Sequence, residues 1–162
     1  MDYKEFNRIV EAHSDALYRF ALKNIKVAED AQEIVQTAFE RLWINRNTVD
    51  PEKSKAFLFR VAYNFTIDMI RKQRKEADME TTKFKEPSSE GADFKDLKRV
   101  LERALSKLSD IQRNVILLRD YEGYSYHEIG DILRITEAQV KINIFRGRKQ
   151  LQEHLGSMED YL

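Results

Sequence analysis

From Gln139 to Lys149 the chain reads QVKINIFRGRK, and its chemistry is that of reversible recognition, not bond making. Lys141, Asn143 and Arg146 carry hydrogen-bonding heads, while Ile142 and Phe145 stand among them as bare apolar groups. At 100° per residue, Val140, Ile144, Gly147 and Leu151 share one helical face, and Ile142 falls about 200° from Val140. Phe145 lies on the same outer side, with Lys141, Arg146 and Lys149 beside it. Two readings fit. In the first, Ile142 and Phe145 pack on another helix of the same domain, since exposed apolar patches are rare. In the second the face meets a DNA major groove, where apolar groups touch thymine methyls, Arg and Lys reach guanine, and Asn pairs with adenine. Arg148 and Lys149 would then grip phosphates, which position a protein without specifying sequence.

The elements that must hold this face are written just upstream. Ser125-x-x-Glu128 and Thr136-x-x-Gln139 both fit the capping box, in which the hydroxyl and the side chain at the third helical position satisfy unpaired backbone N–H groups. Between these two starts Ile129, Ile132 and Leu133 face inward, Gly130 leaves room for a close crossing, and Arg134-Ile135 makes a short turn. This is helix-turn-helix spacing, and it favours the groove reading for the second helix, with Gln139 at its start.

The rest of the chain is also helical in period, with no convincing alternating strand and no Asn-Gly or Asp-Gly hairpin turn. Apolar positions from Phe6 to Ala21 predict a first helix, Ala31 to Leu42 a second, and Lys55 to about Lys75 a third, with Asp50-Pro51 as a turn or helix start. Leu97 to Leu108 predicts another helix; the next begins at Asp110 and ends at Glu122-Gly123. Residues 76–94 are different. They carry 2 Lys/Arg against 6 Asp/Glu, where residues 1–75 carry 14 against 11 and residues 95–162 carry 12 against 11. With Pro87 and Ser88-Ser89-Glu90-Gly91 they read as a flexible acidic linker. The expected fold is all-α: two small helical domains, 1–75 and 95–162, joined by that linker, with the helix-turn-helix in the second.

Several functions are set aside by what the sequence lacks. Net charge is zero, whereas a free-standing DNA-binding domain is usually basic. With no cysteine there is no disulfide framework and no thiolate site. His127-Glu128 opens like a zinc-protease helix, but Asp131 stands where the second histidine belongs, so a surface pair is expected instead. No stretch approaches a membrane span, and the charged start MDYKEFNRIV is not a secretory signal, so a cytoplasmic location is expected. No nucleotide loop, metal cluster or nucleophile–base pair emerges; no enzyme, cofactor or metal is expected.

At this point three segments resemble one family. EGYSYHEIGDILRITEAQVKINIFRGRKQL resembles the promoter-binding helix-turn-helix of bacterial sigma-70-type factors, in particular the small extracytoplasmic-function group. DAQEIVQTAFERLW, residues 30–43, resembles the segment by which such factors dock on the clamp helices of the polymerase β′ subunit. KAFLFRVAYNFTIDMIRKQRK, residues 55–75, resembles their −10 element reader. The order and spacing are also those of the family. Departures are Arg134 for a common turn glycine, Gly130 for a common alanine, and Glu33 for a frequent aspartate.

The resemblance implies core RNA polymerase as partner, through its β′ clamp helices and its β subunit, with promoter DNA at −10 and −35 elements and an anti-sigma factor as further partners. It implies polymerase contacts at Asp30, Glu33, Gln36, Phe39 and Glu40; pattern alone leaves these open as a broad core stripe beside a solvated face, and Trp43 open as core. In the third segment, aromatics interleaved with basic groups suit single-stranded DNA, held by stacking and a basic track. Arg60, Tyr63, Asn64 and Phe65 are the candidates at its centre, and Arg71, Lys72, Arg74 and Lys75 at its end. By resemblance a turn around Tyr63 to Ile67 receives a flipped base; Phe57, Phe59 and Val61 are expected to be core. The acidic linker is either an occupant of the RNA path or only a soluble tether. Two rival functions remain: an autonomous operator-binding regulator and a helical adaptor.

Overall fold

The structure is a computed structural model and describes residues 1–79 and 94–156. Among these there are helices and connecting turns, and no strand. Helix α1 spans Tyr3–Ile25, α2 Ala28–Ile44 and α3 Ser54–Met79. Asp2 caps α1: its carboxylate accepts from the Glu5 N–H at 2.8 Å while Glu5 reaches back to the Asp2 N–H. Asp50 and Pro51 start a 3-10 turn over Pro51–Lys53 that leads into α3, with Asp50 accepting from the Glu52 N–H. The three helices pack on each other pairwise around Leu17, Phe20, Ile34, Leu42, Leu58 and Phe59, all essentially inaccessible.

The second region holds α4 (Phe94–Ser106), α5 (Asp110–Ile116), α6 (Tyr126–Leu133) and α7 (Glu137–Gly156). Helix α5 does not end in an ordinary last turn. It widens into a π-type turn over Leu117–Tyr121, where the Glu122 N–H reaches back five residues to the Leu117 carbonyl at 3.2 Å. Gly123, at φ +72°, then closes it, as the glycine was expected to do. Val140, Ile144 and Gly147 of α7 are buried against α5 and α6, and Leu151 is half-buried on the same side.

Two expectations need adjustment. Helix α3 is continuous through residues 63–67, with Thr66 and Ile67 buried, so there is no turn there to receive a base. The helical pattern of apolar residues on both sides carries the backbone straight through. Helix α3 also runs on through Glu76–Met79, the first part of the expected linker; the remainder of that segment, 80–93, lies outside the described residues.

The two regions are not apart. One apolar core runs from one to the other through Phe20, Phe59 and Tyr124, with ring centroids 5.5 and 5.3 Å apart in edge-on contacts. A buried polar chain lies beside it. Asn24 of α1 donates to the Asn114 side-chain oxygen at 2.8 Å, and Arg113 Nε donates to the Asn24 oxygen at 2.8 Å. Arg19 makes a two-pronged pair with Glu122 at 3.0 and 3.1 Å. Lys55 of α3 pairs with Glu128 of α6 and lies over the Tyr124 ring.

Candidate nucleic-acid interface

The helix-turn-helix forms as the capping pattern requires. Ser125 and Glu128 exchange bonds of 3.1 Å each; Thr136 and Gln139 do the same at 3.1 and 2.8 Å. Arg134 takes the left-handed conformation at φ 56°, which most residues adopt only at some cost, so the absent turn glycine is felt here. Gly130 is required by the turn: a Cβ there would stand 2.8 Å from the Ile135 carbonyl oxygen. The close approach is therefore to the turn backbone, more than to the body of a crossing helix. His127 sits 3.4 Å from both Asp131 and Glu137 as an exposed surface pair.

The outward face of α7 is largely open; on it Lys141 lies over the Tyr126 ring of α6 at 5.5 Å. Ile142 is 44% and Phe145 68% exposed, against 0% for Val140. Gln139, Lys141, Arg146 and Lys149 are exposed alongside them. The reading in which this apolar pair packs on another helix of the domain does not describe the structure. Two predicted residues stand at the flanks and are already engaged. Arg148 is held by Asp120 through bonds of 2.5 and 3.2 Å, and Asn143 donates to the Gln139 carbonyl of its own helix at 2.8 Å. The Asp120 bond is the largest cause holding the Arg148 guanidinium charged. A shallow cleft next to this face is lined by Tyr126, Lys141, Phe145 and Lys149.

On α3 the predicted residues divide. Arg60, Tyr63, Asn64, Arg71, Arg74 and Lys75 fall within about 120° of arc; Phe65 and Lys72 lie off it. The Phe65 ring is instead packed under the Arg41 guanidinium of α2, 4.9 Å from its centroid. Asn64, Arg71, Lys72, Arg74 and Lys75 are exposed. Arg60 is not free: its Nη2 donates to the Asp131 carbonyl of α6 at 2.6 Å, and its buried Nε has no partner. Burial, then the neighbouring Arg134, pushes its pKa down. Burial and then Asp110 raise that of Tyr63. Phe59 and Val61 are core as expected, and Phe57 is half-buried against it.

On α2 the residues Glu33, Gln36, Phe39 and Glu40 share one outer face, with Asp30 at its edge. Gln36, Phe39 and Glu40 line an open groove of about 390 Å³ together with Tyr3, Phe6 and Trp43. Phe6 stacks edge-on against Trp43 at 4.9 Å, and Arg46 covers the indole at 4.2 Å. Sequence reasoning missed Tyr3 and Phe6 because they belong to another helix, and it left Trp43 undecided. Among the described residues no group of three or more potential metal ligands occurs, and no helix is long and apolar enough to cross a membrane.

Comparison with known proteins agrees with this layout. Residues 9–76 match the family model of Sigma-70 region 2, and residues 98–151 that of Sigma-70 region 4. The chain is 30% identical over 169 residues to the ECF RNA polymerase sigma factor SigW of Bacillus subtilis, covering 95% of this chain and 90% of that protein. It is 31% identical over 150 residues to SigM of the same organism, covering 90% and 92%. Among solved structures it is similar to the sigma factor RpoE in complex with the anti-sigma factor NepR from Bartonella quintana (TM-score 0.73, 25% identity, 94% of this chain and 98% of that one). It is also similar to CnrH in complex with the cytosolic domain of CnrY (TM-score 0.74, 26% identity, 96% and 90%). Two matched regions in one order, over nearly the full length of relatives that share this name, leave one assignment: the chain belongs to the extracytoplasmic-function group of sigma-70 RNA polymerase sigma factors.

Proposed function

We propose a division of the initiation task among three surfaces of this sigma factor. Asp30, Glu33, Gln36, Phe39 and Glu40 on α2, with the adjoining aromatic groove, hold the basic coiled coil of the polymerase β′ subunit. An aromatic floor rimmed by acidic and amide groups is suitable composition for such an interface. The α3 face from Arg60 to Lys75 holds the unpaired −10 strand. The outer face of α7, from Gln139 to Lys149, reads the −35 duplex. The working units are 1–75 and 95–162, with 76–94 as the connector. The chain does no chemistry of its own and acts in the cytoplasm, where polymerase is. An anti-sigma protein is a further partner, a reading supported by the two similar structures, both complexes of that kind.

The observation that carries this reading is the exposure of Ile142 and Phe145 on a helix whose opposite face is buried. A neutral chain has few surplus cations for phosphate, so affinity for promoters must come mainly from the polymerase. The test is run-off transcription with purified core enzyme over a promoter library. Transcripts that depend on this chain, and that lose their −35 preference when Lys141 and Arg146 become alanine, support the assignment. Tight duplex binding without polymerase would instead indicate an autonomous operator binder.

A further inference from the structure

The side chains on the outward face of α7 are not equally at liberty to meet a base pair. Reading adenine takes an amide whose N–H and carbonyl oxygen are free together. Gln139 gives its side-chain oxygen to the Thr136 N–H at 2.8 Å, and Asn143 donates its amide to the Gln139 backbone carbonyl at 2.8 Å. Among the cations, Arg148 is forked onto Asp120, and Lys141 lies over the Tyr126 ring. Each of these groups must give up an existing contact before it can reach a base.

The centre of the face has nothing to give up. Ile142 and Phe145 are exposed, and beside them Arg146 and Lys149 are exposed cations that no hydrogen bond or ion pair engages. Ile142 and Phe145 stand three apart on the helix, which sets their Cβ atoms about 5–6 Å from each other. A base step along one strand covers about 3.4 Å, so the pair spans one or two steps. The thymine 5-methyl is the apolar feature that a major groove presents. A face with its amides turned inward and its apolar groups outward is complementary to methyls and not to adenine edges.

We infer that this chain reads its −35 element through two thymine 5-methyl groups, one against Ile142 and one against Phe145, one or two base steps apart on either strand. Arg146 supplies the polar base contact beside them, and Lys149 holds a phosphate. This rests on the assignment of α7 to the −35 duplex made above.

The test uses core polymerase, the intact chain and a promoter that it transcribes. Each −35 thymine, on either strand, is replaced singly by deoxyuridine, which removes the methyl and keeps every hydrogen-bonding group. Two positions, one or two steps apart, should each raise the holoenzyme concentration for half-maximal run-off about fourfold, the factor for burying one methyl-sized group. Ile142→Ala should erase the penalty at one of them and Phe145→Ala at the other. Cytosine in place of either thymine should transcribe poorly, and 5-methylcytosine should recover about fourfold over it. Indifference to deoxyuridine overturns the inference, and so does a penalty that survives both alanine variants. A −35 element with no thymines so spaced overturns it as well. Asn143→Ala should leave the preferred base unchanged at every −35 position; a changed preference means that the amide reads after all. Failure of the underlying assignment looks different: ordinary base changes across the −35 element would then leave transcription by the parent chain untouched.

Discussion

Single side chains separate recognition from folding on α7. Ile142 and Phe145 project outward while Ile144, between them, is 3% exposed. Replacing Ile142 and Phe145 by alanine should lower transcription from a −35-dependent promoter roughly tenfold or more, the scale of one good base contact, with the melting temperature nearly unchanged. Ile144→Ala should instead cost about 2–5 kcal/mol of stability, read by chemical denaturation. Gly130→Ala tests the turn. Its Cβ would press on the Ile135 carbonyl, so a loss of about 1–3 kcal/mol is expected. These positions could be read from the sequence because capping and helical period are local. The commitments of Arg148 to Asp120 and of Arg60 to Asp131 could not, since their partners lie 28 and 71 residues away.

The helices themselves followed from period and punctuation: Asp50-Pro51, Gly123 and the two capping boxes mark real boundaries. The expected turn within α3 came from family likeness and not from the residues, and an uninterrupted apolar period overrode it. Packing of α1 against α3 carries a pH dependence. His13 on α1 is half-buried, and burial, then Lys55, holds its imidazole below the ordinary 6.5. The folded chain therefore takes up this proton less readily than the unfolded one. The resulting stability is fully present above pH 6.5 and declines as pH falls from there toward the folded-state pKa. His13→Gln should remove that decline, so the gap in melting temperature between parent and variant should shrink or reverse between about pH 7.5 and pH 5.5.

For the molecule entire, the surprise relative to sequence is contact. An acidic connector suggests two halves free of each other, and composition cannot show that Asn24 would meet Arg113 and Asn114, 89 and 90 residues further on. A continuous core predicts that the chain unfolds in one calorimetric transition. Asn24→Ala leaves the buried Arg113 Nε without an acceptor, at a cost of about 1–3 kcal/mol or more, and should split that transition into two. The wide turn over Leu117–Tyr121 sets the angle at which Glu122 arrives opposite Arg19. With one residue fewer, the backbone could close on ordinary four-residue bonds, and everything after it would swing by about 100°. Glu122 would then miss its mark, and α7 would be carried off the α5 surface that buries Val140, Ile144 and Gly147, so the second region would lose its own packing along with the junction.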